Sequence, residues 1–251
     1  MQYQFGSGNL YGLVSSGGVL VPRKFAGLQD VSIDFSFTMK ELFGQSQFPL
    51  AVARGQGKIT GKAKAANINA GHYNDIFFGQ TNVAGQKLSI VGEAGATAIP
   101  ATPFQLTVAQ AATFFEDMGV VFTATGVPLV RVASAPTTGQ YSVSALGVYT
   151  FAAADTTLAV TFDYTYTAAA TGLTTTINNL LSGTTPTFVG VFPISYTMQN
   201  GVKKTLYMRL NSCYSSKLTM ATKIDDFMIP EFDFAAGADV SGVIGTMSSS
   251  E

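Results

Sequence analysis

Leu28-Gln29-Asp30-Val31-Ser32-Ile33-Asp34-Phe35-Ser36-Phe37-Thr38-Met39-Lys40 is the stretch on which the fold turns. Val31, Ile33, Phe35, Phe37 and Met39 alternate with Ser32, Asp34, Ser36, Thr38 and Lys40, the two-residue period of a strand with one apolar and one wet face. A second strand follows, in which Lys58, Thr60, Lys62 and Lys64 alternate with Ile59, Gly61, Ala63 and Ala65. Between the two, Leu42 to Gln47 is turn or loop material. Phe48 to Arg54 is apolar on both faces, so it is either buried twice or set against a neighbour. Beyond the second strand, Asn67 or Asn69 suits an N-cap, Tyr73, Ile76 and Phe77 form an apolar stripe, and Gly79 suits a left-handed stop. These signals predict a helix of about ten residues docked by its aromatic side.

The same reading extends in both directions. Met1 to Gly27 is rich in Gly and Ser and reads as an extended arm entering the fold near Val19, with Pro22 holding that piece at a sheet edge. Thr81 to Val91 reads as another strand. After Gly92 the composition changes to short β-like runs at Phe104 to Val108, Gly119 to Thr125, Leu129 to Ala133, Tyr141 to Val143, Val148 to Phe151 and Leu158 to Tyr166, spaced as in antiparallel structure. Ala109 to Met118 and Thr174 to Leu181 are brief helix candidates. Phe188 to Met198 and Thr205 to Asn211 flank Asn200-Gly201, the strongest hairpin dipeptide in the chain. Phe227 to Phe234 forms a last strand with an edge or bulge at Pro230. The Gly- and Ser-rich tail from Ala235 to Glu251 reads as disordered or as an arm laid on a neighbour.

The expected architecture is mainly β: an antiparallel sandwich or barrel-like core with one short flanking α-helix, built from 1–92 and 171–251, and a β-rich insertion at 93–170.

Only 12% of the 251 residues are charged, against roughly a quarter in ordinary soluble domains. No window approaches the ~18 consecutive apolar residues of a membrane-spanning helix, despite a mean hydropathy of +0.27. The expectation is a protein with no membrane partner whose surface is largely covered by other protein in an assembly, the alternative being a compact β domain with a Thr- and Ser-coated surface. Met1 to Phe5 shows no basic or apolar signal region, and the single Cys213 allows no intrachain disulfide, so cytosolic production is expected. A net charge of −1 argues against a general nucleic-acid binder.

Catalytic chemistry has little material. His72 is the one histidine, without a second histidine or a cysteine nearby to build a metal site, and reads as structural. Glu116-Asp117 and Asp225-Asp226 are adjacent pairs that point to opposite faces of a strand, so neither converges on one substrate atom; they read as solvated carboxylates. Gly55-Gln56-Gly57-Lys58-Ile59-Thr60-Gly61 has the wrong spacing for a phosphate-cradling loop. No enzyme and no cofactor are expected. Lys58, Lys62 and Lys64 share one face of their strand, where they touch phosphate, pair with carboxylates or are solvated. Asp30 and Asp34 are the nearest cross-strand partners if the first strand runs antiparallel beside them.

Leu28 to Phe37 with Lys40-Glu41-Leu42, then Phe48-Pro49 and Gly57 to Lys62, resembles the N-terminal part of tail tube proteins of long-tailed bacteriophages. Similar too are Tyr149-Thr150-Phe151 with Asp155, Tyr164-Thr165-Tyr166, Leu210 to Cys213 with Ser216-Lys217-Leu218, and Asp226-Phe227 with Pro230 to Phe234.

The resemblance implies a sandwich-like subunit that forms homo-oligomeric, hexameric rings stacked into a tube. Its long hairpins combine into a barrel around a lumen that carries the viral DNA without specific binding. It implies a virion protein of the tail, assembled in the host cytoplasm, with other tail proteins at the tube ends. Ser32, Asp34, Ser36, Thr38, Lys58, Thr60, Lys62 and Lys64 become lumen-lining or inter-subunit candidates, and Phe232, Phe234, Asp239 and Ser241 inter-ring arm candidates. The insertion would be displayed on the outside. Rival expectations are a capsid or decoration protein, and a carbohydrate-binding module in 93–170 using Phe114, Phe115, Tyr141, Tyr149, Tyr164 and Tyr166, for which core packing is the competing explanation.

Overall fold

A computed structural model describes residues 8–16, 18–25, 27–67 and 69–250. The chain divides into two compact units, Met1–Thr81 with Thr175–Glu251, and Asn82–Thr174. Both are mainly β. In the first, β1 (Leu10–Ser16) and β2 (Val19–Phe25) form a hairpin, β3 (Leu28–Phe43) and β4 (Pro49–Ala65) form a longer one, and a short helix α1 (Ala70–Tyr73) follows. The second unit holds β5 (Asn82–Ala94), β6 (Gln105–Thr107), β7 (Phe114–Phe122), β8 (Val130–Arg131), β9 (Gln140–Val143), β10 (Val148–Phe151) and β11 (Val160–Thr175). The chain returns to the first unit with β12 (Phe188–Thr197), β13 (Lys203–Thr219), β14 (Glu231–Gly237) and β15 (Gly245–Ser249).

The first unit is an antiparallel sheet in the order β2-β1-β12-β13-β14-β4-β3, with β15 also paired to β13. The alternation of each strand sends Ala63, Ala65, Phe188, Phe192, Leu210, Cys213, Phe232 and Phe234 to one face, where they make a single core. The short helix covers one end of that face with Tyr73 and Ile76. Asn69 caps α1 by accepting from the His72 N–H at 3.2 Å. Four α-helical residues then pass into a π-turn over Asn74–Phe78 that stops at Gly79, φ +58°. Asn74, buried, exchanges two hydrogen bonds with the Gln80 backbone, at 2.6 and 3.1 Å, which satisfies its amide and closes the helix end.

Several expectations change here. The Gly- and Ser-rich N-terminal piece is no arm from Leu10 onward: β1 and β2 form the sheet edge, with Pro22 on the outermost strand. Residues 1–7 lie outside the described residues. The C-terminal tail is a docked strand, β15, laid along β13 from Leu210↔Gly245 to Leu206↔Ser249. No helix forms over 174–181, and at 109–118 only Ala111–Thr113 is helical before β7 begins.

In the second unit β5-β11-β7 form one sheet and β6-β10-β9-β8 another, antiparallel except for the two-residue β8–β9 pairing. Side chains of both sheets meet in a core where the Tyr149 and Phe162 rings lie 4.7 Å apart. The unit starts at β5 rather than after Gly92, because β5 lies beside β11, tied by Lys87 Nζ to Thr167 Oγ1 at 2.6 Å. Asp117 is not a solvated carboxylate: its side chain is 3% exposed and lies 3.5 Å from Arg131. It accepts from the Tyr141 and Tyr149 hydroxyls at 2.8 Å each. Burial and these bonds push both tyrosine hydroxyls well above their ordinary 10.0. Tyr141, Tyr149 and Tyr164 are therefore core residues and offer no stacking platform to a sugar.

Candidate assembly interface

The β3–β4 ladder runs from Leu28↔Ala65 to Phe43↔Pro49, but β14 accompanies β4 only from Lys64 to Ile59. Past Ile59 the hairpin continues as a two-stranded ribbon for roughly 25 Å at about 3.3 Å per residue. Among the described residues, the ribbon's other β4 edge has no strand beside it. Apolar side chains stand out all along it: Phe35, Phe37, Met39, Leu42 and Val52 are about half exposed, and Leu50 and Phe48 are 68% and 79% exposed. Of the two fates expected for 48–54, double burial is excluded, since every one of those residues except Pro49 is exposed. The Phe37 ring has local cover from the Arg54 guanidinium, 4.2 Å from its centroid.

Among the described residues, the core face of the sheet has no lid at the base of the ribbon. A groove of about 480 Å³ opens there, lined by Phe35, Phe37, Ile59, Met208, Ile244 and Met247. On its far side β15 has a free outer edge, since among the described residues it pairs with β13 alone. Two unpaired sheet edges and an uncovered apolar floor make a surface ready for another strand.

The opposite face carries the polar candidates. Ser32, Asp34 and Ser36 stand in register with Lys62, Thr60 and Lys58, so all seven residues from Ser32 to Lys64 nominated on this face do lie together. Thr38 sits at a break in register between Phe37 and Met39, with its hydroxyl donating to the Gln56 carbonyl at 3.4 Å. Lys62 and Lys64 are paired, but not to β3, and among the described residues Lys58 makes no ion pair. Lys62 Nζ lies 2.5 Å from Glu231 Oε1 and 3.9 Å from Asp233 Oδ1, and Lys64 Nζ lies 3.3 Å from Glu231 Oε2. The reason is the sheet order: β14 lies on the other flank of β4 and sets Glu231 against Lys64 and Asp233 against Lys62. Glu231 holds the Lys62 ammonium above its ordinary 10.5, and Lys62 and Lys64 hold the Glu231 carboxyl below its ordinary 4.5. Across β3, β4, β14 and β13 the charges alternate by column: Asp30 and Asp34, then Lys58, Lys62 and Lys64, then Glu231 and Asp233, then Lys217. Four lysines face four carboxylates.

The arm candidates are corrected. Phe232 and Phe234 are core residues rather than arm residues, 1% and 2% exposed, with Phe234 stacked on Phe192 at a centroid distance of 5.6 Å. Asp239 and Ser241 form a closed turn between β14 and β15. Asp239 Oδ1 accepts from the Ser241 hydroxyl at 2.7 Å and from the Ser241 and Val243 N–H groups at 2.9 Å, which lowers its pKa. Glu231, Asp233 and the β15 edge were the site features that sequence reasoning missed. The signal for the first two was present, since Glu231 and Asp233 alternate with Phe232 and Phe234 in the period of a strand.

No protein-family model matches this chain, and no curated protein matches it.

Proposed function

We propose that this chain is a structural subunit that assembles with copies of itself into stacked rings forming the tail tube of a long-tailed bacteriophage. The observation that carries this reading is the ribbon beyond Ile59, whose apolar side chains stand about half exposed or more within the subunit. An isolated two-stranded ribbon is marginal in water, and a second copy supplies what it lacks.

In the ring the ribbon and the groove at its base take neighbouring copies, and the polar face of β3 and β4 forms the wall of the conduit. The resemblance of Leu28 to Lys62 to tail tube proteins supplies the ring and the tube. Residence in the virion tail, a hexameric ring, and tail proteins capping the tube ends are parts of the same reading. Negative-stain microscopy of the purified protein over a range of concentrations tests it. Rings or tubes are expected; monomers under every condition would count against any assembly, and closed shells would favour the capsid alternative.

A further inference from the structure

Both oxygens of the Glu231 carboxylate are engaged, Oε1 by Lys62 at 2.5 Å and Oε2 by Lys64 at 3.3 Å, and Asp233 adds a second contact to Lys62 at 3.9 Å. The lysines remain in reach of solvent, with side chains 48% and 42% exposed. Lys58 lies further along the same strand face, and Lys217 stands opposite Asp233 on β13. Among the described residues neither of these two makes an ion pair. Stripped of Glu231 and Asp233, this face would carry four ammonium groups, three on β4 and one on β13 across β14, against Asp30 and Asp34 alone on β3. Such a patch holds phosphate with an affinity that falls steeply with salt, each neutralised phosphate adding about 0.9 to the logarithmic slope. A phosphate oxyanion would meet Lys62 and Lys64 as the Glu231 carboxylate does now.

We propose that Glu231 and Asp233 act as intramolecular competitors of phosphate, occupying Lys62 and Lys64 so that a nucleic-acid backbone passing this face is not held. The inference rests on the reading of this face as a conduit wall, and it assigns the two β14 carboxylates a role in how that wall meets a polyanion. Cross-strand pairing alone would explain the contacts without any consequence for DNA, and the two accounts differ in one measurement.

That measurement is the binding of an end-labelled double-stranded DNA oligonucleotide to the full chain, by fluorescence anisotropy, for wild type and for Glu231→Gln/Asp233→Asn. The amides keep the side-chain shape at partly exposed positions, and thermal melts by circular dichroism check the fold. The double variant is expected to bind about tenfold tighter or more at low salt, with a salt slope steeper by about 2 as two lysines become available. Adding Lys62→Gln/Lys64→Gln in the same background is expected to return affinity to the wild-type level. Glu231→Gln alone, expected to fold even if the pair does not, gives the same sign at smaller size. No gain in affinity, or a gain that survives loss of the two lysines, overturns the proposal. Micrographs of the same preparations separate the two readings: tubes with unchanged DNA affinity sink this inference alone, whereas no rings or tubes from wild type would sink the assembly reading.

Discussion

Gly61 lies under the Phe234 ring, and a Cβ at that position would run into the ring atoms. Phe234 is fixed on its other side by Phe192, so it has little room to give. Gly61→Ala is expected to destabilise the first unit by about 1–3 kcal/mol, the usual range for overpacking a filled core, read as a lower midpoint in urea. The ion pairs on the opposite face behave differently. The folded pKa of Glu231 is depressed by Lys62 first and Lys64 second, so its contribution is full above the ordinary 4.5 and is lost as pH falls through the depressed value. Lys62 is raised by Glu231, so its contribution is full below 10.5 and is lost as pH rises further. Glu231→Gln should therefore melt slightly below wild type at neutral pH, with the gap closing in acid and shrinking with added salt. A gap that stays constant down to strongly acidic pH would show that the carboxylate's charge is not its source.

At the scale of elements, the role proposed for the ribbon is separable from folding. Leu50 and Phe48 touch little in the subunit, so Leu50→Asp or Phe48→Ser should leave the melting temperature nearly unchanged, within about 0.5 kcal/mol of wild type. The same changes should abolish rings and tubes, because a carboxylate at 50 or a hydroxyl at 48 would be buried without a partner in the joint. Variants that assemble normally would contradict the ribbon's role. Alternation had already marked β3 and β4, and Asn69, Gly79 and Asn200-Gly201 announced a cap, a stop and a turn that the fold uses. Pattern could not show that the outer half of the hairpin leaves the sheet, because that depends on where β14 ends. β15 was illegible for a different reason: Gly245 to Ser249 has a single large apolar residue, Met247, and is held by the backbone edge of β13.

Over the whole molecule, the two units have separate cores, one built on Phe232, Phe234 and Ile76 and the other on Tyr149, Phe162 and Tyr164. Replacing 82–174 by a short flexible linker should leave the first unit folded and still able to assemble, checked by circular dichroism and microscopy. Loss of folding would show that the second unit supports the first. The β-rich insertion was legible from its composition, yet its start was not, because β5 reads as a continuation of the preceding strands and its partner β11 lies more than sixty residues later in the chain. The polar face was legible residue by residue, but its charge balance was not: that emerges only when β14 is placed between β4 and β13.

The most direct test of the central claim is an electron cryo-microscopy map of the assembled protein. The account predicts stacked rings in which Phe48, Leu50 and Val52 are buried against another copy and the Lys62–Glu231 face lines the channel. An assembly in which the ribbon stands free in solvent, or in which that face points outward, would contradict it.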